Sequence, residues 1–175
     1  GVPRFTMTAM DHLLLARMGS PVTSHPTNTE PMNEAGYLIG LDLRAQGRLM
    51  PGFPIRSEGE GWYFEGTPVT DGSNVYVAMR RSDVRPQSHV ACFDAQSGVL
   101  RWRRLIASAD TPGDEHTVEL TNNLLTLHHG TLYYNTNLGI VAALTAHDGR
   151  TKWVTAYPRA SSGNLAVRAP HFYRD

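Results

Sequence analysis

The stretch Cys92-Phe93-Asp94-Ala95-Gln96-Ser97-Gly98-Val99-Leu100-Arg101-Trp102 decides the fold, because it is one of three versions of a single phrase. Leu41-Asp42-Leu43-Arg44-Ala45-Gln46-Gly47-Arg48-Leu49 precedes it, and Leu144-Thr145-Ala146-His147-Asp148-Gly149-Arg150-Thr151-Lys152-Trp153 follows it. Gly47, Gly98 and Gly149 stand 51 residues apart, and Trp102 and Trp153 keep the same interval. The loops between the copies differ in length, so the phrase itself, more than the equal spacing, carries the repeat. A Ser-Gly or Asp-Gly pair between alternating apolar residues is a hairpin signal.

Working outward, each copy sits in a unit of four short strands. In the middle unit these are residues 66–70, 74–79, 88–93 and 99–105, with Asp71-Gly72-Ser73 turning the first pair and Gln96-Ser97-Gly98 the last. The third unit repeats the plan at 123–127, 131–134, 140–144 and 151–154, and the first at 5–9, 12–17, 37–41 and 48–50. Residues 167–173 read as the opening of a further unit, and no helix is expected. Four-stranded antiparallel units recurring about every 50 residues are the pattern of β-propeller blades. A β-sandwich of about twelve strands is the alternative, but it offers no reason for a turn-plus-Trp phrase to recur at fixed places.

The expected architecture is therefore all-β: an incomplete propeller with blades over about 3–55, 62–107 and 120–157 and the start of another over about 165–175. Propellers have roughly 4–8 blades, so three and a stub cannot close alone.

Composition agrees with a globular β protein and excludes several classes. Of 175 residues 41% are apolar and 18% charged, and 16 Lys+Arg balance 16 Asp+Glu. That rules out a disordered tail, a coiled coil and a basic nucleic-acid module. Cys92 is the one cysteine, which excludes a disulfide framework and multi-Cys zinc or haem motifs. The longest apolar runs, 75–79 and 140–144, fall far short of the roughly 20 residues of a membrane-spanning helix. The chain opens Gly1-Val2-Pro3 and closes Tyr173-Arg174-Asp175, and we read it as a piece of something longer.

The phrase around Cys92 resembles the quinoprotein, or PQQ-like, repeat. That pattern runs Ala-x-Asp, two residues, Thr/Ser-Gly, three residues, Trp, with Cys92 here in place of Ala. In the third copy Thr145 replaces the first Asp and Asp148 the Thr/Ser. The first copy departs further, with one extra residue between Asp42 and Gly47 and Pro51 where the Trp belongs. The resemblance implies a structural role for the phrase. Asp94 and Asp148 with Gly98 and Gly149 would form the turns, while Trp102 and Trp153 would lie across the neighbouring blade, each indole N–H finding a partner. Trp62, outside the phrase, is expected to pack where its blade's innermost strand begins.

For function the resemblance implies two things. Some members are dehydrogenases that hold pyrroloquinoline quinone and Ca²⁺ at the propeller axis, with adjacent cysteines, an Asp base, and a Glu and an Asn on the metal. Others bind no cofactor and serve as scaffolds, such as the outer-membrane assembly lipoprotein. Cys92 alone cannot supply the cysteine pair.

Strand parity indicates where binding belongs. The first-to-second and third-to-fourth turns gather at one end of every blade and are short. The other end collects the long polar segments 19–35, 80–87, 108–121 and 158–166, and loops on a rigid scaffold are where binding concentrates. The densest chemistry there is Arg80, Arg81, Asp83, Arg85 and His89, which could hold an anionic group or simply form a solvated, partly self-neutralising loop. Glu65, just before an inner strand, and Asn122-Asn123 at the equivalent place are expected to point towards the axis, or else to cap backbone.

Metal chemistry has little support. Asp110-Thr111-Pro112-Gly113-Asp114-Glu115-His116 lacks EF-hand spacing, and the adjacent side chains of His128 and His129 diverge in a strand. No HExxH, GxSxG, GxGxxG or P-loop occurs.

The expected function is a cofactor-free binding or scaffold segment, meeting a protein or small-molecule ligand on the loop-bearing face. It has no catalytic residues of its own and no nucleic-acid partner, and it meets further blades of a longer parent or another copy. The family resemblance implies an exported, extracytoplasmic protein. The alternative is part of a quinone- and Ca²⁺-dependent dehydrogenase whose site is completed elsewhere. A WD40-like interaction propeller is a third reading, although the Trp-Asp dipeptide of that repeat is absent.

Overall fold

The computed structural model describes residues 7–18, 36–57, 59, 61–81, 85–108, 124–136, 138–157 and 171–172. Alternating β-branched, aromatic and polar residues make short antiparallel strands, and these fall into three sheets whose order follows the sequence repeat. The first contains β1 (Met7–Met10), β2 (Leu13–Met18), β3 (Tyr37–Asp42) and β4 (Arg48–Leu49), with β5 (Ile55–Arg56) also paired to β3. The middle sheet runs β6 (Trp62–Thr70), β7 (Asn74–Arg81), β8 (Gln87–Asp94) and β9 (Leu100–Ser108). The third runs β10 (Leu124–His128), β11 (Thr131–Asn135), β12 (Ile140–Thr145) and β13 (Thr151–Ala156). Neighbours in each row are antiparallel, as the short reversing turns require.

The three phrases occupy one structural place, the reversal from third to fourth strand. In each, the glycine amide donates to the carbonyl that opens the turn: Gly47 to Asp42 at 2.9 Å, Gly98 to Asp94 at 2.9 Å and Gly149 to Thr145 at 2.8 Å. A second bond also recurs, tying the turn to the first hairpin of the same sheet. Leu43 donates to His12, Ala95 to Ser73 and Ala146 to Gly130, at 2.8, 2.9 and 2.9 Å. The extra residue of the first copy is absorbed by a single 3₁₀ turn, Leu43–Ala45, followed by Gln46 at φ 56°. Thr145 can replace Asp in the third copy because the recurring acceptor is the backbone carbonyl.

The first sheet differs in its fourth strand. Pro51 and Pro54 lack the amide that a ladder needs, so the strand stops at Leu49 and resumes as β5, with Ile55 opposite Leu38. Sequence reading places strand 48–50 there and does not find β5. The chain's other departure is β14 (His171–Phe172), expected to open a further blade. It pairs instead with the outer edge of the middle sheet, His171 opposite Ser108 and Phe172 opposite Ala107. An outer strand with an unsatisfied edge accepts any extended segment that reaches it.

Apolar side chains form two cores, one in each gap between sheets. Leu13, Leu15, Leu38, Phe53 and Ile55 of the first sheet meet Phe64, Val75, Val77, Met79, Ala91 and Phe93 of the middle one. On the other side of the middle sheet Tyr76, Ala78, Val90, Cys92 and Ile106 meet Leu125, Leu132, Tyr134, Ile140, Ala142, Leu144 and Val154. The middle sheet is thus covered on both faces, and its central strands read as nearly continuous apolar runs for that reason. The inner strands β1, β6 and β10 approach one another, so the sheets fan out from one line, as blades do around an axis.

Candidate functional site

The phrase residues pack between blades. Trp102, on β9, lies over the turn of the next sheet: a Cβ built on Gly149 would stand 2.7 Å from Trp102 Cε3. The preceding junction has no Trp, and the backbone takes its place. A Cβ on Gly98 would stand 2.2 Å from the carbonyl oxygen of Gly52, while the Phe53 ring covers Gly40, where a Cβ would be 2.8 Å from Cζ. Gly98 and Gly149 have φ of +69° and +71°, so these positions need glycine both for conformation and for space. Asp94 accepts from the amides of Gln96 (3.0 Å) and Ser97 (2.8 Å) and pairs with the Arg101 guanidinium. That guanidinium, with the bonds from Ser97, holds the carboxyl well below the usual carboxylate range. Asp148 accepts from the Arg150 amide at 3.0 Å. One expectation fails here: the Trp102 indole N–H is buried and has no hydrogen-bond partner among the described residues, because the ring lies over a glycine turn with no acceptor beside its nitrogen.

The loop-bearing end of the middle sheet carries the polar candidates, and the pleat divides them into two groups. Trp62, Arg81 and Gln87 are opposite one another across three strands, as are Phe64, Met79 and His89, and all face the first sheet. Glu65 and Arg80 fall on the face towards the third sheet. What reads in sequence as one dense run is therefore split by the period of 2.

In the first group Trp62, 9% exposed, is the centre. The His89 ring meets it edge-on with centroids 4.7 Å apart, and the guanidinium carbons of Arg103 and Arg81 lie 4.1 and 5.6 Å from its centroid. Burial, with the positive charges of Arg103 and Arg81 beside it, lowers the His89 pKa to about 4. The ring is neutral at pH 7, and its Nε2 lies 3.1 Å from Gln87 Oε1. Arg81 and Arg103 are exposed beyond the indole. Trp62 does begin the inner strand, but it does more than pack, and Arg103 has no signal in the sequence beyond its charge.

In the second group Glu65, 5% exposed, faces Arg80 with Nε 3.5 Å from Oε1. Arg17 donates to the Phe64 carbonyl at 2.9 Å; burial lowers its pKa and the nearby Glu65 opposes that shift. Arg80 also lies 5.4 Å from the Tyr63 ring centroid. This is an internal charge cluster. Arg85 is exposed at the loop end. Asp83, Asn122 and Asn123 lie outside the described residues, as does the 110–116 stretch.

The opposite, tight-turn end has a shallow depression of about 560 Å³ between inner strands, lined among others by Thr8, Met10, Thr70, Asp71, Leu127 and His129. Asp71 is committed to its own turn, accepting from the amides of Ser73 and Asn74 and from the Tyr76 hydroxyl at 3.0, 2.7 and 2.7 Å. Among the described residues no three His, Cys, Asp or Glu side chains come together to hold a metal. No helix among them is long and apolar enough to cross a membrane.

Open, sequential four-stranded sheets joined by glycine turns define a β-propeller architecture, and solved structures agree. A quinohemoprotein alcohol dehydrogenase from Pseudomonas putida HK5 superposes with a TM-score of 0.56 at 11% identity, over 86% of this chain and 26% of its own. A europium-containing methanol dehydrogenase gives 0.57 at 14% identity, over 86% and 31%. The chain thus spans less than a third of the length of either enzyme, and the likeness is one of fold. BamB from Moraxella catarrhalis, at a TM-score of 0.34 and 14% identity over 82% of this chain and 49% of its own, is too distant to add to it. No family model matches the chain.

Proposed function

We propose that the chain is a binding or scaffold segment of a PQQ-like β-propeller that takes a protein or small ligand on its loop-bearing end. The observation behind this reading is the Trp62 cluster. Two exposed guanidinium groups stand over one indole, with a neutral histidine fixed at its edge. Such a rim matches a carboxylate or phosphate, because guanidinium groups bind oxyanions through paired N–H donors. An extracytoplasmic location belongs to the same proposal and rests on the family resemblance alone.

The test is calorimetric titration with an acidic peptide and, separately, inorganic phosphate. Saturable binding weakened by Arg81→Ala with Arg103→Ala supports the reading. Binding that survives both substitutions, or that moves only when the Asp71 end is altered, overturns it.

The second reading is a dehydrogenase segment completed by other blades, and the two enzymes of like fold favour it. The residues described here do not fit a quinone and calcium set. Cys92 is buried within β8, its thiol pushed up to about 12 by burial, and the carboxylates Glu65, Asp71 and Asp94 are each taken by a local partner. Saturable binding of quinone with Ca²⁺ to the full-length parent protein, with dye-linked alcohol or sugar oxidation, would establish it over the first reading.

A further inference from the structure

His89 lies between the two arginines of the Trp62 cluster. Arg81 stands opposite Gln87, two residues before His89 on β8, and Arg103 stands opposite Ala91, two residues after it. Such diagonal neighbours on one face of a sheet are within reach of long side chains, so an anion that bridges the two guanidinium groups spans the position of the imidazole. The ring itself is fixed, 7% exposed and edge-on to Trp62. Gln87 Oε1, 3.1 Å from Nε2, can only accept, so Nε2 holds the proton of the neutral ring. Nδ1 then carries the lone pair; it is buried and has no hydrogen-bond partner among the described residues.

The charges that face the ring are of one sign. Arg103 from β9 and Arg81 from β7 both oppose a proton there, in addition to burial. From the first sheet Arg17, in the same row as Leu38, faces this gap and is bonded to the Phe64 carbonyl. On β6 the neighbours on this face, Trp62 and Phe64, are uncharged. Glu65 lies on the opposite face, and Asp11, Asp42, Asp71 and Asp94 stand at the tight-turn end. Among the described residues no carboxylate is placed to accept from a protonated Nδ1.

We infer that an oxyanion bridging Arg81 and Arg103 is bound together with a proton taken up at His89 Nδ1, so that the site holds its ligand more tightly in mildly acid solution than at neutral pH. The inference rests on the oxyanion reading of the Trp62 cluster and adds its regulation. In the free protein the ring stays neutral until the pH falls to about 4. A bound anion neutralises the two guanidinium charges and supplies the missing acceptor, so in the complex the ring takes its proton nearer the ordinary value of 6.5. By linkage the added affinity is absent above the pKa of the complex, grows below it, and stops growing below that of the free protein.

The experiment is calorimetric titration of the full-length protein with sulfate, which keeps its double charge over the range used. Titrations at about pH 7 and about pH 5, each in two buffers of different ionisation enthalpy, give affinity and proton uptake; ¹⁵N spectra of the imidazole report the protonation of Nδ1. Affinity should rise roughly threefold to tenfold from the higher pH to the lower, the range that one shifted histidine supplies. Uptake of a proton and a protonated Nδ1 should accompany saturation at the lower pH. His89→Gln, shown by circular dichroism to be folded, should lose the rise between the two pH values, a ratio that does not depend on its affinity at either one. Arg81→Ala with Arg103→Ala should remove binding at both. Arginine-dependent binding that is equal at the two pH values, or a rise that survives His89→Gln, overturns the inference and leaves the oxyanion reading standing. Absence of sulfate binding at both pH values overturns that reading, and the inference with it.

Discussion

Trp102 occupies the space in which Gly149 would carry a side chain, with Cε3 2.7 Å from where that Cβ would be. The relationship joins two copies of one sequence phrase, the end of the second and the turn of the third. It shows the phrase working in both directions in the middle blade, whose Gly98 turn is pressed by the preceding blade and whose Trp102, four residues later, lies on the turn of the following one.

The two phrase tryptophans should therefore differ in stability. Trp102→Ala removes a ring packed on the core and should cost about 2–3 kcal/mol, somewhat less than full burial would give. Trp153 is 45% exposed, and Trp153→Ala, measured by urea unfolding, should cost less than about 0.5 kcal/mol. Equal losses would mean that the rings do not have the different environments described here.

Arg80 is better regarded as Glu65's partner than as a ligand-binding residue. Arg80→Ala leaves a buried carboxylate without that partner and should destabilise by about 2 kcal/mol, a breakage penalty reduced for an arginine that is partly exposed. Adding Glu65→Gln should return much of the loss. A neutral Arg80→Ala would argue against this pairing.

His89 makes acid stability a readout of its burial. Its folded pKa, about 4, lies below the ordinary value of 6.5, so between these two values the unfolded chain binds the additional proton. Stability from this group is complete above about pH 6.5 and falls as pH drops towards 4. His89→Gln should flatten the pH dependence of unfolding in that window relative to wild type. An unchanged profile would mean that the ring titrates normally in the fold.

Much of this architecture is legible in the sequence because the repeat is local. Asp-Gly and Ser-Gly turns and period-2 alternation place twelve strands within a few residues of those observed, since hairpin register follows from turn chemistry. The broken fourth strand of the first blade is less legible: Pro51 marks the interruption, but nothing local shows that Ile55 resumes pairing with Leu38. Nor does sequence show that His171 reaches back to Ser108, a contact between residues far apart in the chain.

The candidate site is only partly legible, for the same reason. Arg80, Arg81 and His89 stand out as a run, but the pleat sends Arg80 to one face and the other two to the opposite one. Trp62 and Arg103 join the site from separate strands, through packing that a linear pattern does not encode.

The measurement that bears most directly on the blade-to-blade docking is a double-mutant cycle between Trp102→Ala and Gly149→Ala. Alanine at 149 should be costly beside the indole and about 1 kcal/mol or more less costly once the ring is gone, a coupling expected only of residues in contact. Strict additivity, within about 0.5 kcal/mol, would contradict the docking of Trp102 on the next blade.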